Sequence, residues 1–393
     1  MKTVADEAQV ERSELSLWMA ILMLGVGSFI FINTEFLPVG LLSDIATFYS
    51  VTIGQAGLMV TVPGVAAALA APALTRYLGK VDRRKILLSM SVLLLVSNLL
   101  MAFSNSFVLS LFGRLLLGIG VGGFWSFAVP YGVNIVKEYQ KGRATTIITA
   151  GVAAGTVAGV PLGTFLGQNF GWQNAFLLNA ALTGIVLLLQ LKVLPAQEGD
   201  TSLNFRQMVG VILEGSVAKR LLSTMFFAGA HFCSFTYFEM ILTKEAGVDP
   251  SSLPKMFLLY GLMGFAATFI AEFLVKKIGA KSTFRLATIL LVVAVVAMLS
   301  ASLNSTLAIA ITMLWGLAYG LMPVSINIWL YEANEKDYVI STASNVSLYQ
   351  VAVAAGSFFG GVAYSTAGVE AMIFVSAAVG LICLFVGFVK TAR

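Results

Sequence analysis

A carboxylate, Glu35, stands in the stretch FIFINTEFLPVG (29–40), beside Asn33 and Thr34 and close before Pro38. Its surroundings are otherwise apolar. An ionised carboxylate in hydrocarbon is costly unless it is paired, hydrated or protonated. That cost suits one kind of chemistry: holding a proton in a dry cavity and giving it up when water or a solute enters. The structural alternative is a carboxyl hydrogen-bonded to a neighbouring helix. Pro38 lacks an N–H and so frees a backbone carbonyl, which must find another partner or line a cavity.

Arg114, in FGRLLLGIGVGGFW, is the one cation buried in an apolar run. Gly118 and Gly122 follow at i+4 and i+8, so a neighbouring helix can come close on the arginine's side. Trp125 returns to nearly the same face three turns on. Two roles fit Arg114: a buried tie to a carbonyl or acid, or a charge acting on a proton or solute site.

Further along, AGAHFCSFTYFEMIL places His231, Phe235 and Glu239 on an i, i+4, i+8 stripe, with Tyr237 at its edge. His231 fits either packing or contact with a solute. Glu239 fits either a solvated interfacial acid or a cavity acid that titrates with Glu35. LWGLAYGLMPVSINIW ladders Trp315, Tyr319, Pro323 and Asn327 at i+4 steps. Such a stripe could stack on and hydrogen-bond a ring-shaped solute, or simply pack. Asn345, Tyr349 and Gln350 are similar candidates. Glycines at 151, 155, 159, 163 and 167, with Pro161 among them, repeat small-xxx-small spacing. Their expected role is close helix packing, with a bend at the proline.

These residues need elements that can hold them in a membrane. The chain of 393 residues is 58% hydrophobic and 11% charged, with mean hydropathy +0.91. A soluble chain carries about a quarter charged residues and cannot keep this much apolar surface from water. Cys233 and Cys383 lie in apolar segments, and there is a single histidine. Neither a disulfide framework nor a metal site is expected, and no cofactor is implied. The charged N-terminus reads as no secretory signal.

A bilayer core of ~30 Å needs ~20 apolar helical residues. Twelve spans are expected, at about 17–43, 52–75, 86–104, 107–133, 144–168, 173–194, 221–242, 253–275, 284–302, 306–330, 340–364 and 370–389. With the N-terminus in the cytoplasm, Lys244 and Lys255 fall outside and Arg114 within a span. The rest of the 24 Lys and Arg fall on the cytoplasmic side. That asymmetry predicts both termini inside. It also accounts for the net charge of +5 as topology, with no nucleic acid needed. The polar connection at 195–220 separates a bundle over 1–194 from one over 221–393. Each half carries a basic loop after its second span, RYLGKVDRRK at 76–85 and KKIGAKSTFR at 276–285. The pattern predicts two pseudo-symmetric six-helix bundles around a central cavity.

These segments together resemble the major facilitator superfamily, in particular its twelve-helix drug:proton antiporter group. NTEFLPVGLLSDIA resembles the group's first-helix signature, RLLLGIGVGG its fourth-helix motif and GTVAGVPLG its fifth-helix motif with the proline displaced by one position. GWQNAF resembles the signature that follows, with Gln173 in place of its arginine. In the loop after the second span Gly79 takes the family's acid position and Asp82 its glycine position, while Arg83 and Arg84 keep the basic pair of a cytoplasmic gate. AHFCSFTYFE is similar to sugar efflux transporters; GGFWSF and LWGLAYGLMPVSINIW are similar to purine nucleoside efflux pumps.

The resemblance implies an all-α major facilitator fold in the cell membrane. It implies a solute:proton antiporter exporting a small polar or amphipathic solute such as a sugar, nucleoside or drug. Glu35, Arg114 and Glu239 would couple protons. Asn33, Trp125, His231, Tyr237, Trp315, Tyr319, Asn327, Asn345 and Tyr349 would contact the solute. A monomer in the lipid bilayer is expected. A proton-independent facilitator and a receptor or scaffold on a transporter-like body are the alternatives. An enzyme would need a nucleophile with a paired base or clustered metal ligands, and the single histidine and scattered acids argue against one.

Overall fold

The computed structural model describes residues 4–199, 210–303, 305–335 and 338–388, and the regular elements among them are helices. Among the described residues ten helices are long and apolar enough to cross a membrane, and a bent pair makes an eleventh. The longest runs 48 residues, Ile340–Gly387. An unbroken helix of that length would measure about 70 Å, more than twice a bilayer core. It is in fact broken at Ala367 and Gly368, where Gly368 takes a φ of 80° that favours glycine.

The helices are labelled α1 (Val4–Phe36), α2 (Leu58–Leu78), α3 (Arg83–Phe103), α4 (Phe107–Asn134), α5 (Lys141–Phe170) and α6 (Trp172–Val193). Then follow α7 (Gly215–Phe235), α8 (Leu253–Ile278), α9 (Ala280–Ala297) and α10 (Ser305–Tyr331). The two arms of Tyr338–Phe388, before and after the break, are α11 and α12. Most expected boundaries fall within a few residues of these. Gly171, with φ 91°, divides α5 from α6 where GWQ marks the break.

Two spans differ from expectation. The first ends at Phe36 rather than continuing to 43. Pro38 cannot donate to the helical ladder, so the chain tightens into a 3-10 turn, Leu37–Gly40, before a short separate helix, Leu42–Tyr49. The seventh is bent by 52° between Gly215–Phe235 and Phe238–Glu245. At the bend Thr236 and Tyr237 are tied sideways to α11: their hydroxyls bond the Ser357 Oγ at 2.7 Å and the Ser357 O at 2.9 Å.

The helix pairing repeats. α1 packs on α5, α2 on α4, α3 on both α4 and α6. Six helices later α7 packs on α11, α8 on α10, α9 on both α10 and α12. This is the arrangement of a parallel repeat. The glycine stripe of α5 packs on α1 in register. Gly151 faces Gly25 and Ser28, Gly155 faces Phe29 and Ile32, Gly159 faces Asn33, Gly163 faces Leu37 and Gly167 faces Leu41. A methyl group on Gly151 would collide with the Gly25 carbonyl. Repeated small-xxx-small spacing therefore acts here as expected, by letting two backbones touch. On α11, Gly356 and Gly360 meet the backbone of α7 at Gly229 and Cys233 in the same manner.

Contacts between α1–α6 and α7–α12 gather at one end. Gly64 of α2 meets Gln350 and Ala354 of α11, and Gly54 meets Gly361 and Ser365. Gly261 of α8 meets Thr156 and Val157 of α5, and Gln168 donates to the Pro250 carbonyl at 2.6 Å. A buried apolar cluster runs continuously across the halves at this end, from Leu37, Met59 and Phe176 to Phe238 and Trp315. At the opposite end the cluster of Ile21, Leu87, Tyr131 and Leu194 belongs to α1–α6 and their exit alone.

The basic loop lies at that opposite end. The Asp82 carboxylate caps α3 through the Arg84 N–H at 2.9 Å and accepts the Gln197 N–H at 3.2 Å. The Arg83 N–H donates to the Gln197 carbonyl at 2.8 Å, and its guanidinium sits 5.1 Å over the Phe127 ring. Arg84 reaches the Leu191 carbonyl at 2.5 Å. The start of the central connection is thereby strapped to α1–α6. Lys2, Arg206, Lys336, Lys390 and Arg393, among the expected cytoplasmic cations, lie outside the described residues.

Candidate functional site

Two proline breaks set up the site. In α2 Pro63 cannot donate to the Met59 carbonyl, and past α1 Pro38 cannot donate to the Thr34 carbonyl. Arg114 takes both. Its Nε donates to the Met59 O at 2.6 Å and its Nη1 to the Thr34 O at 2.7 Å. Its Nη2 donates to the Glu35 O at 2.6 Å, where the helix tightens into the 3-10 turn. The guanidinium is 0% exposed. Five donors in a rigid fork suit it to several carbonyls at once. Gly118 and Gly122 let α2 close against this face of α4, at Pro63 and Ala67. Of the two roles open to Arg114, the structure shows the carbonyl tie directly.

Arg114 thus holds the backbone of Glu35 rather than its carboxylate. The Glu35 side chain is 2% exposed and points across the halves, where its Oε1 accepts from the Gln350 Nε2 of α11 at 3.2 Å. The oxygen of that amide, Gln350 Oε1, is buried without a partner, as is Asn345 Oδ1 on the same helix. Unpaired buried polar atoms of this kind are sites for water or a bound polar group.

One residue on from Glu35, at Phe36, a small cleft lies between α1 and α5 on one side and α7, α8 and α10 on the other. Phe36, Thr156, Val160, His231, Tyr260 and Tyr319 are among its lining. The His231 ring is stacked between Tyr319, at 4.2 Å, and Phe235, at 4.8 Å. Its Nδ1 accepts from the Trp315 Nε1 at 3.1 Å. The Tyr319 and Tyr349 hydroxyls share a 2.6 Å hydrogen bond. Phe36 of α1 stacks on Phe232 of α7 at 5.3 Å, so an aromatic pair joins the halves at the rim. The cleft therefore offers flat apolar faces, hydroxyls and an imidazole, groups of the kind that meet a ring-bearing polar solute.

Other expected site residues are placed elsewhere. Asn33 turns into the first bundle and donates to Asn179 of α6 at 3.0 Å. Trp125 packs against the cluster of Ile21, Leu87, Tyr131 and Leu194, edge-on to Phe124 at 5.3 Å. Tyr237, swung aside by the bend after α7, stacks on Tyr364 at 5.9 Å. Pro323 is exposed and Asn327 half-buried, and neither is among the residues lining the cleft. Glu239 is neither solvated nor in the cleft. Its buried Oε2 accepts the Leu42 N–H at 2.9 Å and the Ser43 N–H at 3.3 Å. It caps the N-terminus of Leu42–Tyr49, which has no side-chain cap of its own, and does so from the other half. No group of three or more metal-ligating side chains occurs among the described residues.

Sequence reasoning missed Tyr260, Phe36 and Phe232. A lone tyrosine in the apolar run FLLYGLMG was the available signal for the first. It also missed that Pro63 frees a second carbonyl for Arg114, although the proline stands in the open in MVTVPGV.

The comparisons with known proteins agree with this geometry. The chain is 29% identical over 368 residues to the purine ribonucleoside efflux pump NepI of Salmonella paratyphi C, covering 93% of this chain and 92% of the relative. It is 28% identical over 393 residues to the pump of the same name from Salmonella enteritidis PT4, covering 100% and 98%. The crystal structure of the human organic anion transporter MFSD10 shares the fold with a TM-score of 0.69 at 18% identity, over 95% of this chain and 99% of that one. Residues 17–341 match the family model described as Major Facilitator Superfamily. This bears out the resemblance read from the motifs, and the chain is a multi-pass membrane transporter, not an enzyme, belonging to the Major Facilitator Superfamily.

Proposed function

We propose that the protein is an efflux transporter that exchanges protons for a small ring-bearing polar solute, with purine ribonucleosides as the leading class. The solute class follows the names of the relatives and suits an aromatic cleft edged with hydroxyls. Twelve spans with both termini in the cytoplasm, as two six-helix bundles over 1–194 and 221–393 joined by 195–220, complete the reading. The repeated pairing and the break at Gly368 support it. On that orientation the closed end faces outward and the structure is open to the cytoplasm. A monomer in the cell membrane suffices, since each bundle closes on itself.

One observation carries the coupling: the Glu35 carboxyl of one half is bound by Gln350 of the other, one residue from Phe36 of the cleft lining. An ionised carboxylate accepts a stronger hydrogen bond than a neutral acid. The charge on Glu35 is therefore felt by both halves. Outside protons would reach Glu35 when the cleft faces out, loosen this tie and the solute's hold, and favour return. Proton loss inside would restore both.

The test is counterflow in proteoliposomes with inosine as the probe and an imposed pH gradient. Acid on the side opposite the loaded inosine should drive uphill movement, with proton flux in the opposite direction. Inosine movement that ignores the gradient would make the protein a facilitator and overturn the coupling.

A further inference from the structure

His231 is the only histidine in the chain and is fully buried at the cleft. Its partner at Nδ1 decides its chemical form. The indole N–H of Trp315 can only donate, so Nδ1, 3.1 Å away, must present a lone pair. The ring proton then belongs on Nε2. A ring protonated on both nitrogens would set one N–H against another. Tyr319 and Phe235 both stack on the imidazole, each within about 21° of parallel, and so resist its turning out of this plane.

The Nε2 side is only loosely used. The Tyr260 hydroxyl lies 3.4 Å away, at the long limit of a hydrogen bond. Among the residues lining the cleft none is charged, so this N–H, the Tyr260 and Tyr319 hydroxyls and Thr156 are its polar means of recognition. Resting on the nucleoside reading, we propose that Trp315 is a positioning residue that locks His231 as a neutral Nε2–H donor, and that His231 thereby selects rings carrying an acceptor atom over rings of the same shape that lack one. A site built around a hydrogen-bonding group rejects a ligand that leaves it unpaired. A purine ring nitrogen is such an acceptor. Replacing it by C–H keeps the shape and removes the lone pair.

The single histidine allows a direct test. In lipid-reconstituted protein labelled with ¹⁵N-histidine, the wild-type spectrum should show one neutral form protonated on Nε2. Trp315→Phe keeps an aromatic ring and removes the N–H, and a second tautomer should appear. A wild-type ring protonated on Nδ1, or on both nitrogens, would overturn the lock. In parallel, binding of inosine is compared with that of its 3-deaza and 7-deaza analogues. One of these should bind wild type about tenfold more weakly, a loss that vanishes in His231→Phe. Equal affinities for all three in wild type would overturn the selection. If wild type binds no inosine at all, the nucleoside class fails, and the spectrum still decides the lock by itself.

Discussion

The two walls of the central cleft are built by opposite means. On the α1–α5 side the backbone is deliberately broken. Pro38 and Pro63 free carbonyls, Arg114 gathers them, and Glu35 is held at the resulting discontinuity. On the α7–α10 side no buried charge is held at a break, although α7 ends in a bend just past Phe235, and the wall is made of rings: His231, Phe235, Tyr260, Trp315 and Tyr319. Charge needs polar backbone to hold it in a membrane, whereas a flat apolar solute needs only rigid faces. Under the proposed function, the first wall would handle the proton and the second would recognise the solute, with Gln350 as the link.

Substitutions should separate these roles. The largest effect is expected from Arg114→Met, which strands three buried carbonyls at roughly 1–3 kcal/mol each. Its thermal midpoint in detergent should fall by on the order of 10 °C or the protein should fail to fold, while Arg114→Lys, with fewer and differently placed donors, should lie between. Unchanged stability in Arg114→Met would break the picture of a carbonyl clamp. Next comes Gly151→Leu, which forces α5 away from α1. A loss of about 1–3 kcal/mol or more is expected, read as lowered yield and midpoint, with residual solute affinity in whatever protein folds. A third change, Glu239→Leu, removes the cross-half cap from Leu42–Tyr49. Closure at that end should weaken by about tenfold, consistent with one charged hydrogen-bonded contact. Faster labelling of a cysteine introduced at Ser43 would show it; unchanged labelling would reduce Glu239 to packing. The smallest effect is expected from Tyr319→Phe, which removes one hydroxyl pair with Tyr349 and keeps the stacked ring. Inosine affinity should fall only a few-fold, with proton coupling intact. A collapse of coupling in this variant would mean that the two walls do not divide the work as assigned.

The sequence made part of this division legible. The glycine stripe could be read because helix packing depends on i+4 spacing alone, and α5 meets α1 in that register. Glu35 and Arg114 stood out because ionisable residues in apolar runs are costly. His231, Trp315 and Tyr319 were found as members of helical stripes. What was not legible depends on how separate helices meet. Arg114's partners come from two other segments. Asn33 lies two residues from Glu35, yet it faces α6 while the carboxylate faces α11. Tyr237 was placed beside the His231 stripe by assuming a straight helix, and the bend at Thr236–Tyr237 moves it to Tyr364. Glu239 fitted either an interfacial acid or a cavity acid, and neither reading foresaw a cap. Its partner, the uncapped start of Leu42–Tyr49, exists only because Pro38 ends α1 early.

The central claim is that the Glu35 carboxyl carries the proton exchanged for solute. Its most direct test is Glu35→Gln in proteoliposomes, comparing inosine exchange at equal pH with uphill inosine movement driven by a pH gradient. The account predicts that exchange survives within a few-fold, because the amide can still bond Gln350 and the aromatic wall is untouched, while gradient-driven accumulation disappears. Accumulation at the wild-type level would contradict it, and would move the proton to another group.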